Sequence, residues 1–243
     1  MVSEVRCYTP ASAKNLIMTT ISDKLQAVHT RIAQAARQAG RDPAGVRLLA
    51  VSKTWPAEEV RVAACAGQQA FGENYVQEGV SKRAALADLA LEWHFIGPVQ
   101  SNKTRQIAEN FAWVHSLDRL KIAQRLSEQR PATLPPLQLC LQVNVSGEAS
   151  KSGVSLAEVP ALVPQIVALP RLRLRGLMCI PAPTEDVAQQ RAAFRALRRL
   201  FTQLQGDGYP LDTLSMGMSH DLEAAIAEGA TLVRIGTAIF GER

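Results

Sequence analysis

Eight short apolar runs punctuate this 243-residue chain, and the stretches between them carry apolar residues spaced three and four apart. Few folds accept that alternation. The runs are Leu48 to Lys53, Ala70 to Asn74, Leu91 to Ile96, Ala112 to Ser116, Leu137 to Val145, Leu172 to Ile180, Leu211 to Met216 and Leu232 to Phe240. Alternating β and α elements argue for a parallel sheet. Runs apolar at successive positions fit strands covered on both faces. Eight such units in this length predict an α/β fold, a single (β/α)8 TIM barrel. An open doubly wound sheet is the alternative, although no glycine-rich turn of the dinucleotide type follows the first run.

An extra helix stands in front. Ile21, Leu25, Val28, Ile32, Ala35 and Ala39 share one face, Thr20 with Asp23 forms a capping pattern, and Gly40 supplies the stop. Further helices are expected over Ser101 to Asn110, from Asp118 as cap to before Pro131, from Thr184 to about Gln205, and over Asp221 to Glu228. Residues 1–18 are polar, aperiodic and broken by Pro10, which reads as a poorly ordered leader. Residues 19–243 show no linker or composition shift and are expected to form one barrel domain.

Composition removes several function classes. Lys+Arg of 27 against Asp+Glu of 22 gives only +5, and much of it lies in Arg191, Arg195, Arg198 and Arg199. Their spacing suits a solvated helix face, and no aromatics interleave, so no nucleic-acid partner is expected. No apolar run approaches the ~18 residues of a membrane span, and no signal-peptide pattern opens the chain. Cys7, Cys65, Cys140 and Cys179 are scattered without metal-ligand spacing or a short disulfide framework. A cytoplasmic protein without a metal follows.

Barrel sites lie at the carboxyl ends of the strands. Those ends carry Lys53, Asn74, His94, Ser116, Asn144, Met178, Ser219 and the pair Gly236-Thr237. Desolvation at a strand end lowers a lysine pKa and makes an amine able to attack an aldehyde. The alternative is a lysine that reaches water. The last two loops, Ser215-Met216-Gly217-Met218-Ser219 and Arg234-Ile235-Gly236-Thr237, combine hydroxyls, glycine N–H groups and a following helix, as a phosphate requires. Paired tight turns with capping serines are the alternative. Arg234 is expected to point into the barrel, where a guanidinium needs an acceptor. A heteroaromatic nitrogen would serve, and a donor-only partner keeps that nitrogen unprotonated. Amine, phosphate cup and nitrogen partner together describe a pyridoxal phosphate (PLP) site. His94 is read as a hydrogen-bonded structural histidine, His115 and His220 receive no role, and Ser146 to Gly153 with Lys151 is a lid or a turn.

At these residues the chain resembles the pyridoxal phosphate homeostasis proteins. The matching stretches are Leu48 to Lys53, Phe71-Gly72-Glu73-Asn74-Tyr75, His94-Phe95-Ile96-Gly97 with Gln100, Asn102 and Lys103, Leu174 to Met178, and Gly217-Met218-Ser219 through Arg234 to Thr237. The resemblance runs from about residue 19 to the C-terminus. It implies a barrel like the alanine racemase N-terminal domain, with PLP as a Schiff base on Lys53. It also implies phosphate held by Ser219, Gly236 and Thr237, Arg234 at the pyridine nitrogen, and Asn74 and Ser215 lining the pocket. Members are regarded as cytosolic, often monomeric managers of the PLP pool, so apo-enzymes are the implied acceptors. Many carry a second lysine two positions after the Schiff-base lysine. Here that position is Trp55.

Three functions fit these features. A non-catalytic PLP carrier uses all of them. A low-activity amino-acid racemase needs a base on each face of the substrate adduct, and of Tyr8, Tyr75 and Tyr209 only Tyr75 lies near a strand end. A cofactor-free Schiff-base aldolase needs an acid beside Lys53.

Overall fold

Strand β1 (Arg47–Val51) pairs in parallel with β2 (Ala70–Glu73) on one side and with β9 (Leu232–Ile235) on the other. First and last strands therefore close the sheet. β3 (Glu92–Phe95), β4 (Trp113–Leu117), β5 (Leu137–Asn144), β7 (Leu172–Met178) and β8 (Thr213–Ser215) complete a ring of eight parallel strands. A two-residue strand, β6 (Val154–Ser155), adds to the end of β5 outside the ring. This computed structural model describes residues 20–147 and 152–242. The leader expected over residues 1–18 lies outside them, as does Lys151. Closure by the β4–β5 and β1–β9 pairs excludes the open-sheet alternative.

Two kinds of core follow from the pleat. Outward residues such as Leu48, Ala50, Phe71, Val114 and Leu139 join one large apolar shell between sheet and helices. Inside the barrel the apolar groups are few: Leu49, Ala70 and Leu232 form one cluster, and Trp113, Cys140 and Met178 another. Between them sit buried polar side chains, among them His94, His115, Ser215 and Arg234.

Helix α1 (Ile21–Gln38) begins as its sequence predicts. Thr20 Oγ1 accepts from the Asp23 N–H at 3.1 Å while the Thr20 N–H donates to the Asp23 carboxylate at 3.0 Å, a reciprocal capping box. Leu25, Val28, Ile32, Ala35 and Ala36 are its buried face. It packs on α8 (Leu222–Ala227) and α9 (Thr237–Phe240), the helices that follow the last two strands.

Three local expectations change. The last strand stops at Ile235, and Gly236 turns the chain into α9, with the Ile239 and Phe240 N–H groups donating to its carbonyl. A short apolar run such as Ala238-Ile239-Phe240 has no period that separates strand from helix. α7 (Val187–Gly206) starts after Asp186, whose carboxylate takes the Ala188 and Gln189 N–H groups, so Thr184 lies outside it. Asp118 does not cap α5 (Leu120–Gln129), because its carboxylate accepts from Arg119 instead. The expected solvated face is present, since Arg191, Arg195, Arg198 and Arg199 are all exposed; Arg191 and Arg195 also reach Glu228 at 2.7 and 2.8 Å and tie α7 to the end of α8. Among the described residues no helix is long and apolar enough to cross a membrane, and no cluster of His, Cys, Asp or Glu could hold a metal ion.

Candidate functional site

At the carboxyl ends of the strands a cavity of about 580 Å³ is walled by Lys53, Asn74, Ser219, Arg234, Gly236 and Thr237. Six of the seven predicted site residues thus share one space. Its size is that of a small-molecule site.

Lys53 follows the end of β1 directly. Ser52 before it is wholly buried and donates its hydroxyl to Glu73 Oε1 at 2.6 Å. Thr54 after it adopts φ 64°, a left-handed backbone that β-branched residues rarely take. The Thr54 N–H donates to the Glu78 carboxylate and its hydroxyl to the Lys53 carbonyl, and these bonds hold the sharp turn. Such strain collects at binding sites, where the surroundings over-determine it. One expectation fails here. Lys53 is exposed at the cavity mouth, because burial along β1 ends at Ser52.

Arg234 lies in the cavity floor and is only 5% exposed. Its Nη1 donates to the Ser215 carbonyl at 2.6 Å and to Ser215 Oγ at 2.8 Å, and its Nη2 donates to the Cys179 carbonyl at 2.9 Å. Burial lowers the guanidinium pKa from its ordinary value, yet an arginine stays charged in a protein. Three of its five N–H groups are used by these bonds, which leaves Nε–H and one Nη2–H. Ser215 departs from expectation. It is wholly buried beneath Arg234 rather than in the wall, because its hydroxyl is shared between that guanidinium and His115.

The two loops are shaped by contacts that the sequence does not announce. Gly217 has φ 96°, and a Cβ there would meet the Ala225 Cβ at 2.6 Å, so only glycine fits. The Met218 N–H donates to Asp221 Oδ1 at 2.6 Å. The Ser219 carbonyl accepts from Arg31 Nη1 at 2.8 Å, while the same guanidinium grips Glu223 at 2.5 and 2.7 Å. The extra helix therefore sets the loop, a role that periodicity in α1 could not reveal. Trp55 and His220 also line the cavity. His220 was legible only as the neighbour of Ser219. Trp55 stacks on Phe240, with ring centroids 5.9 Å apart.

The arrangement joins an accessible primary amine, a fixed cationic floor and a hydroxyl-bearing wall built from the last two loops. It suits a small ligand with an electrophile at one end and an anion at the other.

Comparison with known proteins agrees on lineage. The family model described as alanine racemase, N-terminal domain, matches residues 24–243. The chain is 66% identical over 226 residues to a pyridoxal phosphate homeostasis protein of Pseudomonas aeruginosa, covering 93% of this chain and 97% of that one. It is similar to PipY of Synechococcus elongatus PCC7942, solved with PLP bound, at 38% identity and TM-score 0.81 over 91% of this chain and 100% of PipY. Alanine racemase from Corynebacterium glutamicum shares the fold alone, at 18% identity and TM-score 0.67, and this chain matches only 62% of its length. Full-length identity of this order and a matching family model make the conclusion plain: the chain belongs to the alanine racemase N-terminal domain family, among the pyridoxal phosphate homeostasis proteins.

Proposed function

We propose that this protein binds PLP in the cavity at the strand ends and serves PLP homeostasis as a carrier. The observation that carries the reading is the shared cavity: Lys53, Arg234, Ser219 and Thr237 line one space although they are spread over most of the chain. These residues fit the group. When bound, PLP supplies an aldehyde for a lysine amine, a pyridine nitrogen and a phosphate dianion.

Lys53 provides the amine and, being exposed at the mouth, is open to ligand arriving from solvent. Ser219 and Thr237 offer hydroxyls to the phosphate, Gly236 lets backbone approach it, and Arg234 donates to the nitrogen. Asn74 borders the ring. Ser215 acts from beneath by holding the guanidinium. The 66% identity to a protein named for PLP homeostasis, and the PLP bound to PipY, support this assignment. Efficient racemisation needs a second base across from Lys53. Tyr75, the tyrosine nearest a strand end, is 59% exposed and not part of the cavity wall. We place the carrier in the cytoplasm as a monomer that hands PLP to apo-enzymes, and an accessible Lys53 supports such handover.

The test is direct. Purified protein incubated with PLP should turn yellow, and borohydride should fix one adduct on the Lys53 peptide. Lys53→Ala should abolish the adduct and slow the reactivation of an apo-aminotransferase. An adduct on another lysine, or none, would overturn the reading.

A further inference from the structure

A single file of hydrogen bonds crosses the barrel interior beneath the cavity. From the top, Arg234 Nη1 meets Ser215 Oγ at 2.8 Å, and Ser215 Oγ meets His115 Nδ1 at 2.8 Å. His115 Nε2 then meets His94 Nδ1 at 2.8 Å, and His94 Nε2 meets Glu92 Oε1 at 2.7 Å. Ser215, His115 and His94 are buried, with both imidazoles fully enclosed. Stacking of His94 on Trp113, centroids 5.3 Å apart and planes at 7°, fixes its ring. At the far end of the file Glu92 reaches solvent. Its carboxylate, 36% exposed, lies in a second cleft at the opposite face of the barrel and also accepts from Arg47 at 2.8 Å.

The ends dictate every proton. A guanidinium can only donate and a carboxylate can only accept. Glu92 therefore requires a proton on His94 Nε2. A neutral His94 must then accept at Nδ1, so His115 carries its proton on Nε2 and accepts at Nδ1. Only the Ser215 hydroxyl can donate there, and Ser215 Oγ in turn accepts from Arg234. All four bonds point the same way, from Arg234 to Glu92. Aligned bonds of this kind polarise one another, more so in a low-dielectric interior.

We infer that Glu92, His94, His115 and Ser215 are positioning residues that relay the carboxylate's negative charge across the barrel to Arg234. They hold its Nη1 edge downward and leave its remaining N–H groups for the ligand. The inference rests on the proposed PLP site for its functional meaning, but the proton arrangement is a property of the protein itself. Neither histidine exchanges a proton with the ligand. Their part is to fix a dipole and an angle.

The test uses the full chain with 15N-labelled histidine. Long-range 1H–15N spectra should show His94 and His115 neutral, both protonated on Nε2, with or without PLP. Glu92→Gln, a change at the rim that leaves the core packed, removes the accepting charge. It should weaken PLP binding about threefold to tenfold and move the absorption maximum of the bound cofactor. Arg47→Gln removes the other partner of Glu92 while keeping the file, and should leave both readouts unchanged. A charged imidazole, a proton on His115 Nδ1, or E92Q matching wild type in affinity and spectrum would overturn the inference. Equal effects of E92Q and R47Q would do the same, by assigning the change to the surface ion pair. Should wild type take up no PLP on Lys53, the functional proposal fails, while the tautomer spectra still decide the file.

Discussion

Trp55 lies stacked against Phe240, ring centroids 5.9 Å apart and planes at 27°, and so joins the turn after Lys53 to the short helix that begins at Thr237. A carrier with a lysine at position 55 has no such clasp. Aromatic pairs are worth about 0.5–1.5 kcal/mol beyond their buried area. Trp55→Ala should therefore lower stability by about 1–2 kcal/mol and weaken PLP binding, since the clasp spans both walls. Urea unfolding and PLP titration of the two proteins check this. Unchanged PLP affinity in a destabilised variant would show that the clasp holds the fold and not the site.

A second contact supports Lys53 from behind. Lys82 Nζ donates to the Ser52 carbonyl at 2.6 Å, to Glu73 Oε1 at 2.7 Å and to Glu78 Oε1 at 2.6 Å, which uses all three of its N–H groups. Glu73 is wholly buried, its Oε2 has no partner among the described residues, and burial raises its pKa above the ordinary carboxylate value. Lys82→Met leaves that carboxylate with the Ser52 hydroxyl but without its counter-ion, a loss of about 3–5 kcal/mol when the group is charged. The folded-state pKa rises further in the variant, so the folded protein retains a proton that the unfolded chain releases. The penalty therefore grows as pH rises above the ordinary glutamate range. Urea midpoints of K82M should fall further below wild type at pH 8 than at pH 5. An equal deficit at both would clear Glu73.

Much of this is legible in the sequence. The eight apolar runs gave the ring of strands, and Lys53, Asn74, Ser219, Arg234, Gly236 and Thr237 meet in one cavity as their strand-end positions require. What stayed hidden depends on distance through space. Arg31 reaches Ser219 across 188 positions of sequence, and His115 reaches Ser215 across 100. Local pattern carries no trace of either. His94 was readable as a hydrogen-bonded histidine, but its partners lie on the same strand and on the next one. The exposure of Lys53 is hidden for a related reason. Strand periodicity says which face a residue takes, not how far the surrounding loops rise above it.

Gly217 gives a sharper test of the loop. A Cβ at this position would approach the Ala225 Cβ to 2.6 Å, at a φ of 96° that L-residues avoid. Strain and overlap each cost about 1–3 kcal/mol. Gly217→Ala should destabilise the protein by that order and displace Ser219, which lines the cavity. Inorganic phosphate should then compete more weakly with PLP. A variant that keeps wild-type phosphate competition would separate Ser219 from the anion.

The two enclosed imidazoles set the acid limit of the fold. Burial lowers the pKa of His94 and takes that of His115 well below the ordinary 6.5. Both are therefore neutral in the folded protein, whereas the unfolded chain protonates them near 6.5. Below that value the unfolded state binds more protons, so stability falls as pH falls, with a limiting slope of about 1.4 kcal/mol per pH unit for each histidine. Glu92 acts lower on the scale. Its hydrogen bond from His94 depresses its pKa to about 2, so its contribution is present above 4.5 and disappears as pH drops toward 2. Unfolding free energy should thus decline from about pH 6.5 downward and carry a second loss below 4.5. His115→Gln should be less stable at pH 8 and show a shallower decline between pH 6.5 and 5. If its slope equals that of wild type in that window, His115 is not the group that acid titrates.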